Sequence, residues 1–111
     1  MMRVYVPADF AELARIHAEG TVPTRGAVAA EDSTEDAEYA ALMEAAARSA
    51  ERVAGSADPR RVVLAVDVTT PGVTAPLRDL ASIHVDLDPG ADPDDDLAWH
   101  ATQELRFLLG E

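Results

Sequence analysis

No lysine and no cysteine occur among the 111 residues, and all nine basic residues are arginines, set against 21 acidic residues. Without lysine the chain cannot form a Schiff base, anchor pyridoxal phosphate or supply the lysine of a phosphate-binding loop. Without cysteine it has no thiolate nucleophile, no cysteine ligand for zinc and no disulfide. These absences exclude several covalent and cofactor-dependent mechanisms, and we expect no cofactor.

Positive charge is scarce, since the formal net charge is −12 at pH 7. Phosphate backbones and anionic membranes are bound by clustered lysine and arginine, so we expect no direct nucleic-acid binding and no membrane association. No run approaches the ~20 apolar residues of a membrane span or the ~7 to 15 of a signal-peptide core. The sequence therefore predicts a cytoplasmic protein, and its length predicts a single domain over residues 1–111.

The pattern of apolar and turn-forming residues predicts seven elements of secondary structure. The predicted strands span residues 2–6, 27–30, 61–68 and 81–87, and the predicted helices span residues 9–19, 34–54 and 93–109. Asp9 and Ser33 precede the first two helices at capping-box spacing from an acidic residue. The third helix would begin at Asp92 and Pro93, followed by three aspartates, because carboxylates favour the positive end of a helix dipole.

Alternate strand residues fall into an apolar set and a mixed set. The apolar set comprises Val4, Val6, Val62, Leu64, Val66, Val68, Ile83, Val85 and Leu87, and the mixed set comprises Arg3, Tyr5, Val63, Ala65, Asp67, Ser82, His84 and Asp86. A sheet with helices on both faces would be apolar at nearly every position. We therefore expect a two-layer α/β sandwich of about four strands, with three helices mainly on one face and the mixed face open.

Strand direction follows from the lengths of the connections. The segments 7–26 and 31–60 are long enough for helical crossovers, so we expect the first three strands to be parallel. Strand 81–87 would follow a turn at Pro71-Gly72 and an irregular loop.

Three residues of strand 81–87 have the composition of a hydrolytic triad, namely Ser82, His84 and Asp86. Alternate strand residues stand ~6.8 Å apart, so we expect the serine oxygen and the imidazole to lie beyond hydrogen-bond reach. A polar strand face is the interpretation that we favour. His84 could still act alone, or with Asp67 of the neighbouring strand, as a general acid or base.

Two other groups of residues invite a metal interpretation. His100 and Glu104 are four residues apart on the predicted last helix, which fits two metal ligands or an ordinary intrahelical pair. The acidic segment 86–96 fails the calcium-loop pattern, because its glycine is misplaced and Leu97 stands where a bidentate glutamate is required. We favour a solvated connector that leads into a helix N-terminus, and a loose cation site is the minor alternative. We expect no tightly bound metal.

Trp99 is the only tryptophan of the chain, and on a helix over 93–109 it would lie away from the apolar arc, beside Arg106. Tryptophan is the residue type most enriched at interface hot spots. We therefore predict a contact surface that contains Trp99 with Arg106, or Tyr5 and Val63 on the open sheet face. A single exposed aromatic residue without a partner is the alternative interpretation.

Four segments together resemble a known family: 2–7 (MRVYVP), 38–41 (EYAA), 60–68 (RRVVLAVDV) and 99–104 (WHATQE). The resemblance is to a family of small proteins from high-GC Gram-positive bacteria that is classified as a domain of unknown function. Its members are usually longer around strand 81–87, so this chain resembles a shortened version. The resemblance implies kinship and a bacterial origin, but it brings no activity, ligand or catalytic residue.

Three functions of different classes remain open. The first is a non-enzymatic protein-interaction or regulatory module, which would bind a protein partner or form a homodimer. The second is a small-molecule or hydrolytic enzyme centred on Asp67, His84 and Asp86, for which a concave pocket around Asp67 at the carboxyl end of a parallel strand would be the evidence. The third is an acidic decoy that occupies the nucleic-acid site of a partner, for which rows of carboxylates at phosphate-like spacing would be the evidence.

Overall fold

The computed structural model describes residues 1–70 and 72–111, so the turn expected at Pro71-Gly72 lies partly outside the described residues. Within these ranges the strands are β1 Met2–Ala8, β2 Thr21–Val22, β3 Val28–Ala29, β4 Val62–Val68, β5 Ala75–Pro76, β6 Leu80–Val85 and β7 Ala98–His100. The helices are α1 Phe10–Glu19, α2 Glu35–Val53 and the single-turn α3 Leu105–Leu108. None of the helices in these two ranges is long and apolar enough to cross a membrane.

The main sheet is antiparallel throughout its described part, with five strands in the order β3-β1-β4-β6-β7. The expectation of about four strands, the first three of them parallel, is therefore wrong. β3 and β4 both run antiparallel to β1 and flank it, so they are parallel to each other but not adjacent. The crossover argument gave the right relative direction for those two strands, but β1 lies between them.

The apolar strand set forms the larger core, as its alternation predicted. α1 packs on this face through Leu13 and Ile16, the small β2–β5 sheet contributes Val22 and Ala75, and Leu105 contributes from α3. The strand residues in this core are Val4, Val6, Val62, Leu64, Val66, Val68, Ile83 and Val85. Leu87 is the exception, because β6 ends before it and its side chain is 70% exposed.

Most of the opposite face is covered, because α2 packs across β1, β3 and β4. Tyr5, Val63 and Ala65 of the sheet form a second core with alanines of α2, chiefly Ala45 and Ala46. The two-layer expectation is therefore wrong, since helices cover both faces. The small side chains on the helix and on the strand let the two backbones approach closely, so the mixed face needs no long run of large apolar residues to be covered.

The first two helices begin and end close to their expected positions. Asp9 caps α1 by accepting a hydrogen bond from the backbone N–H of Glu12 at 2.7 Å, and Gly20 ends the helix with φ at 72°. α2 is capped by Thr34, whose hydroxyl accepts from the N–H of Ala37 at 3.2 Å. The cap predicted at Ser33 is wrong by one residue.

A helix over residues 93–109 does not form, and that prediction is wrong. Arg61 donates hydrogen bonds to the backbone carbonyls of Asp92, Pro93 and Asp95, which an α-helix would need for its own first turn. Downstream of this turn, β7 pairs with the outer edge of β6. Tertiary contacts thus outweigh the local helix signals, and only residues 105–108 are α-helical in this region.

Candidate functional site

A groove opens where α2 stops covering the sheet. It lies between the N-terminal half of α2 and the strands β6 and β7, and its volume is about 300 Å³. We call it the α2 groove; its lining residues are Arg3, Tyr5, Glu35, Glu38, Tyr39, Leu42, Ala65, Ser82, His84 and Trp99. The groove exists because α2 packs mainly on β1, β3 and β4, so within the described residues it leaves the same face of β6 and β7 largely uncovered.

Ser82 and His84 form a hydrogen bond in the floor of this groove. The Ser82 hydroxyl lies 2.9 Å from Nε2 of His84, so the expectation that the two side chains stand out of reach is wrong. Alternate residues of a strand are indeed well separated at the backbone, but the imidazole ring extends along the strand far enough to reach the serine hydroxyl. Burial lowers the pKa of His84, and the positive charge of Arg3 and the neighbouring His100 imidazole lower it further. His84 is therefore neutral near pH 7.

Asp86 does not complete a triad with this pair, because it forms a buried ion pair with Arg61. The Oδ2 atom of Asp86 lies 2.8 Å from Nε of Arg61, and each side chain is 5% exposed. The same carboxylate accepts the backbone N–H of Arg61 at 2.9 Å and a second guanidinium N–H at 2.9 Å. Asp86 thereby anchors Arg61, which in turn binds the carbonyls of the acidic segment. Asp86 therefore has a structural role.

Asp67 is also engaged by an arginine. Nε and one terminal nitrogen of Arg3 donate to its two carboxylate oxygens at 3.0 and 3.3 Å across the β1–β4 pair. This bond raises the pKa of the Arg3 guanidinium. The structure therefore places Asp67, His84 and Asp86 on one face of the sheet without bringing them together as one site.

Tyr5 and Val63, which were expected to be exposed for a partner, are covered by α2. Val63 has no exposed surface and Tyr5 is 6% exposed, although Tyr5 contributes to the groove floor. Burial raises the pKa of the Tyr5 phenol, and the negative charge of Glu38 raises it further. Val63 therefore has no surface to offer to a protein partner, and Tyr5 offers only the small part that lines the groove.

Trp99 is the most exposed aromatic residue in the wall of the groove. It lies on β7 directly opposite His84, with 64% of its surface exposed. Tyr39 of α2 is 50% exposed and donates its hydroxyl to Asp96 at 2.6 Å. Arg106 lies over the ring of Phe107 on α3 at 4.8 Å, so the predicted helical neighbourhood of Trp99 and Arg106 does not exist.

The residues considered as metal ligands have local roles. His100 belongs to β7 and Glu104 accepts the backbone N–H of Ala101 at 3.1 Å, so the two do not share a helix face. In residues 1–70 and 72–111 no group of three histidine, aspartate or glutamate side chains could hold a metal ion. Within the acidic segment, Asp88 and Asp92 accept backbone N–H groups two residues ahead at 2.8 Å, as in a self-capped connector.

Sequence reasoning missed three residues that shape the site. No sequence pattern indicated that Arg61 would be buried, because an arginine at the start of a strand is ordinarily solvated. Glu38 and Tyr39 belong to α2, and we expected the helices on the other face of the sheet. The alanine-rich stripe of α2 was the one available signal, since small residues favour close packing against a sheet.

Together, the fold and the groove define a small α/β protein with an antiparallel five-stranded sheet, at least as far as the described residues go. Residues 2–93 match a family of unknown function, DUF6912, and the chain belongs to this family. The match ends before β7, so the resemblance of the segment 99–104 and the Trp99 wall of the groove lie beyond it. Searches of curated proteins and of solved structures find no match.

Proposed function

We propose that this chain is a non-enzymatic protein-interaction module that receives a partner protein in the α2 groove. The observation that carries the proposal is the exposure of Trp99, 64% of whose surface is open to solvent in the wall of a groove. Exposed tryptophan is costly to keep in water, because the indole buries ~150 to 250 Å² when it is covered. A partner that covers Trp99 recovers this hydrophobic free energy.

The surroundings of Trp99 are those of an interface hot spot. A second exposed aromatic residue, Tyr39, lies across the groove, and polar groups of Ser82 and His84 form its floor. Hot spots combine an aromatic anchor with nearby polar groups that hydrogen-bond to the partner. The groove volume of about 300 Å³ lies at the lower end of the ~300 to 1,000 Å³ that small-molecule sites occupy, which favours a side chain of a protein over a larger metabolite.

Catalysis in the same groove is a second candidate, favoured by the hydrogen bond between Ser82 and His84. A neutral histidine that accepts a serine proton is the first requirement of a serine nucleophile. Against it, no carboxylate among the described residues hydrogen-bonds to His84. Ser82 also lies within a strand whose backbone pairs with β4. A Ser82→Ala variant separates the two functions, since it abolishes a hydrolase but leaves binding through Trp99 in place.

The interaction proposal is tested by affinity capture from a lysate of the source organism with three baits. The baits are the wild type, Trp99→Ala and the matched control Phe107→Ala, whose aromatic side chain is 61% exposed outside the groove. We expect one partner to be captured by the wild type and by Phe107→Ala but lost with Trp99→Ala. Equal capture by all three baits would contradict the proposal.

A second copy of the chain is the other partner that the groove could receive. Sedimentation of the purified protein over a concentration series detects it, and Trp99→Ala would then shift the protein toward monomer. A strictly monomeric protein with no Trp99-dependent partner in the capture experiment would contradict the interaction function as a whole.

A further inference from the structure

We infer that the α2 groove binds an arginine side chain from a basic segment of the partner protein. This inference rests on the proposed function and specifies the chemistry of the partner. Three observations support it: the excess of carboxylates in the groove, its exposed aromatic faces and the charge of the chain as a whole.

The carboxylates on the α2 side of the groove outnumber the arginine that lines it. Glu35 and Glu38 both line it, and neither forms an ion pair with a described residue. Arg3, which also lines the groove, donates hydrogen bonds to both oxygens of Asp67 and only interacts with Glu38 through its charge. His84 adds no positive charge near pH 7, because its pKa is lowered. The groove therefore has an excess of negative charge.

Aromatic faces of the groove favour the same ligand. Trp99 and Tyr39 are 64% and 50% exposed, and a cation is attracted to the face of an aromatic ring. Contacts of this kind already occur among the described residues, with Arg60 over Phe10 at 3.8 Å and Arg106 over Phe107 at 4.8 Å. A planar guanidinium can stack on an indole and bind a carboxylate in a bidentate manner at the same time, which an ammonium cannot do.

The overall charge opposes a second copy in this role. Each copy has a formal charge of −12, so two copies repel each other, whereas a basic segment is attracted over the whole surface. A partner with clustered arginines satisfies both the local and the long-range electrostatics. We therefore assign the groove to a basic protein segment.

The experiment titrates the full chain with a capped peptide of alternating arginine and alanine and follows the fluorescence of Trp99, the only tryptophan. The matched control peptide has glutamine in place of arginine. We expect the arginine peptide to change the emission and to bind more weakly as salt is added, and we expect no saturable change with the glutamine peptide.

Two charge-neutralising variants localise the binding. Glu38→Gln removes a groove carboxylate, whereas Glu51→Gln removes an exposed carboxylate of the same helix outside the groove. We expect Glu38→Gln to weaken binding about fivefold, as for one exposed charge contact, and Glu51→Gln to leave it unchanged. Equal weakening in both variants would mean that the peptide senses only the net charge, and it would overturn the inference.

The inference and the proposed function can fail separately. If the arginine and glutamine peptides behave alike, the inference is wrong, whatever the capture experiment yields. If the arginine peptide has no effect but a partner is still captured through Trp99, the groove is an interface for a partner of different chemistry. If neither experiment gives Trp99-dependent binding, both are wrong.

Discussion

The two faces of the sheet differ in how completely they are covered. One face is closed by α1, the β2–β5 sheet and α3, and its strand residues from Val4 to Val85 are nearly all inaccessible. The other face is covered by α2 only over β3, β1 and β4, and it opens at β6 and β7 into the α2 groove. Polarity of a strand face therefore does not reveal whether a helix covers it, because small residues can be covered as well as large ones.

The same comparison applies to the two aspartates that flank the groove face. Asp86 and Arg61 are both buried and hold the segment that leads to β7, whereas Asp67 and Arg3 are 36% and 44% exposed at their side chains. Buried ion pairs cost much when one partner is removed, and exposed pairs contribute little. The predictions below use this contrast.

Removing Arg61 has the largest expected effect. Arg61→Ala leaves the Asp86 carboxylate buried without a cation and frees the carbonyls of the acidic segment, so we expect the free energy of unfolding to fall by about 3 to 5 kcal/mol. Urea denaturation measures this loss. Arg48→Ala is the matched control, since Arg48 pairs with Glu44 on the exposed side of α2 and should cost less than about 1 kcal/mol. If both variants lost a similar amount of unfolding free energy, the structural role assigned to Arg61 would be contradicted.

Truncation in the closed core comes next. Leu64 has no exposed surface, so we expect Leu64→Ala to lower the free energy of unfolding by about 2 to 5 kcal/mol through lost burial and the remaining cavity. Urea denaturation at constant pH is again the measurement. A loss below about 1 kcal/mol would show that the α1 face is less tightly packed than the contacts indicate.

Enlarging an alanine under α2 tests the partly covered face. Ala45 is fully buried against the sheet, and a leucine there would push the helix outward. We expect Ala45→Leu to lower the free energy of unfolding by about 1 to 3 kcal/mol. Ala47→Leu, at an exposed position of the same helix, serves as the control. A neutral Ala45→Leu would mean that α2 does not pack closely on the strands.

Replacing His84 should have the smallest effect on the free energy of unfolding, and this effect should depend on pH. Because burial lowers its pKa in the folded state, the unfolded chain takes up this proton first as the pH falls. The contribution of neutral His84 to stability is therefore complete above its usual pKa of about 6.5 and is lost as the pH falls through the folded-state value. NMR titration should give a pKa below that usual value.

A variant checks the sign of this dependence. We expect His84→Ala to change the free energy of unfolding by no more than about 1 kcal/mol at neutral pH. From about pH 7 to about pH 5 the wild type should lose stability relative to the variant. The opposite trend would mean that His84 gains a proton more readily in the folded protein.

Much of the fold could be predicted from the sequence where local signals and tertiary contacts agree. The inward set that includes Val4, Leu64 and Val85 is confirmed by the larger core. α1 and α2 begin where a cap and an acidic first turn stand together. These signals succeed because strand alternation and helix capping depend on neighbouring residues alone.

The predictions that failed depend on contacts distant in the sequence. The helix over 93–109 is wrong because Arg61, more than 30 positions earlier, takes the carbonyls of its first turn. The expectation of an open face is wrong over β1 and β4, because the alanines of α2 cover these strands. Both errors affected the prediction of the contact surface. Tyr5 is buried under α2, and Trp99 is exposed on a strand in place of the predicted helix.

The most direct test of the groove compares association and monomer stability in a single variant, Trp99→Ala. We expect this substitution to weaken binding of the captured partner by at least about 1 kcal/mol, as for a hot-spot residue, when measured by calorimetry. The free energy of unfolding of the monomer, measured by urea denaturation, should change by no more than about 0.5 kcal/mol, because the side chain is already 64% exposed. A variant that binds the partner normally, or that loses stability as a core truncation does, would contradict the account.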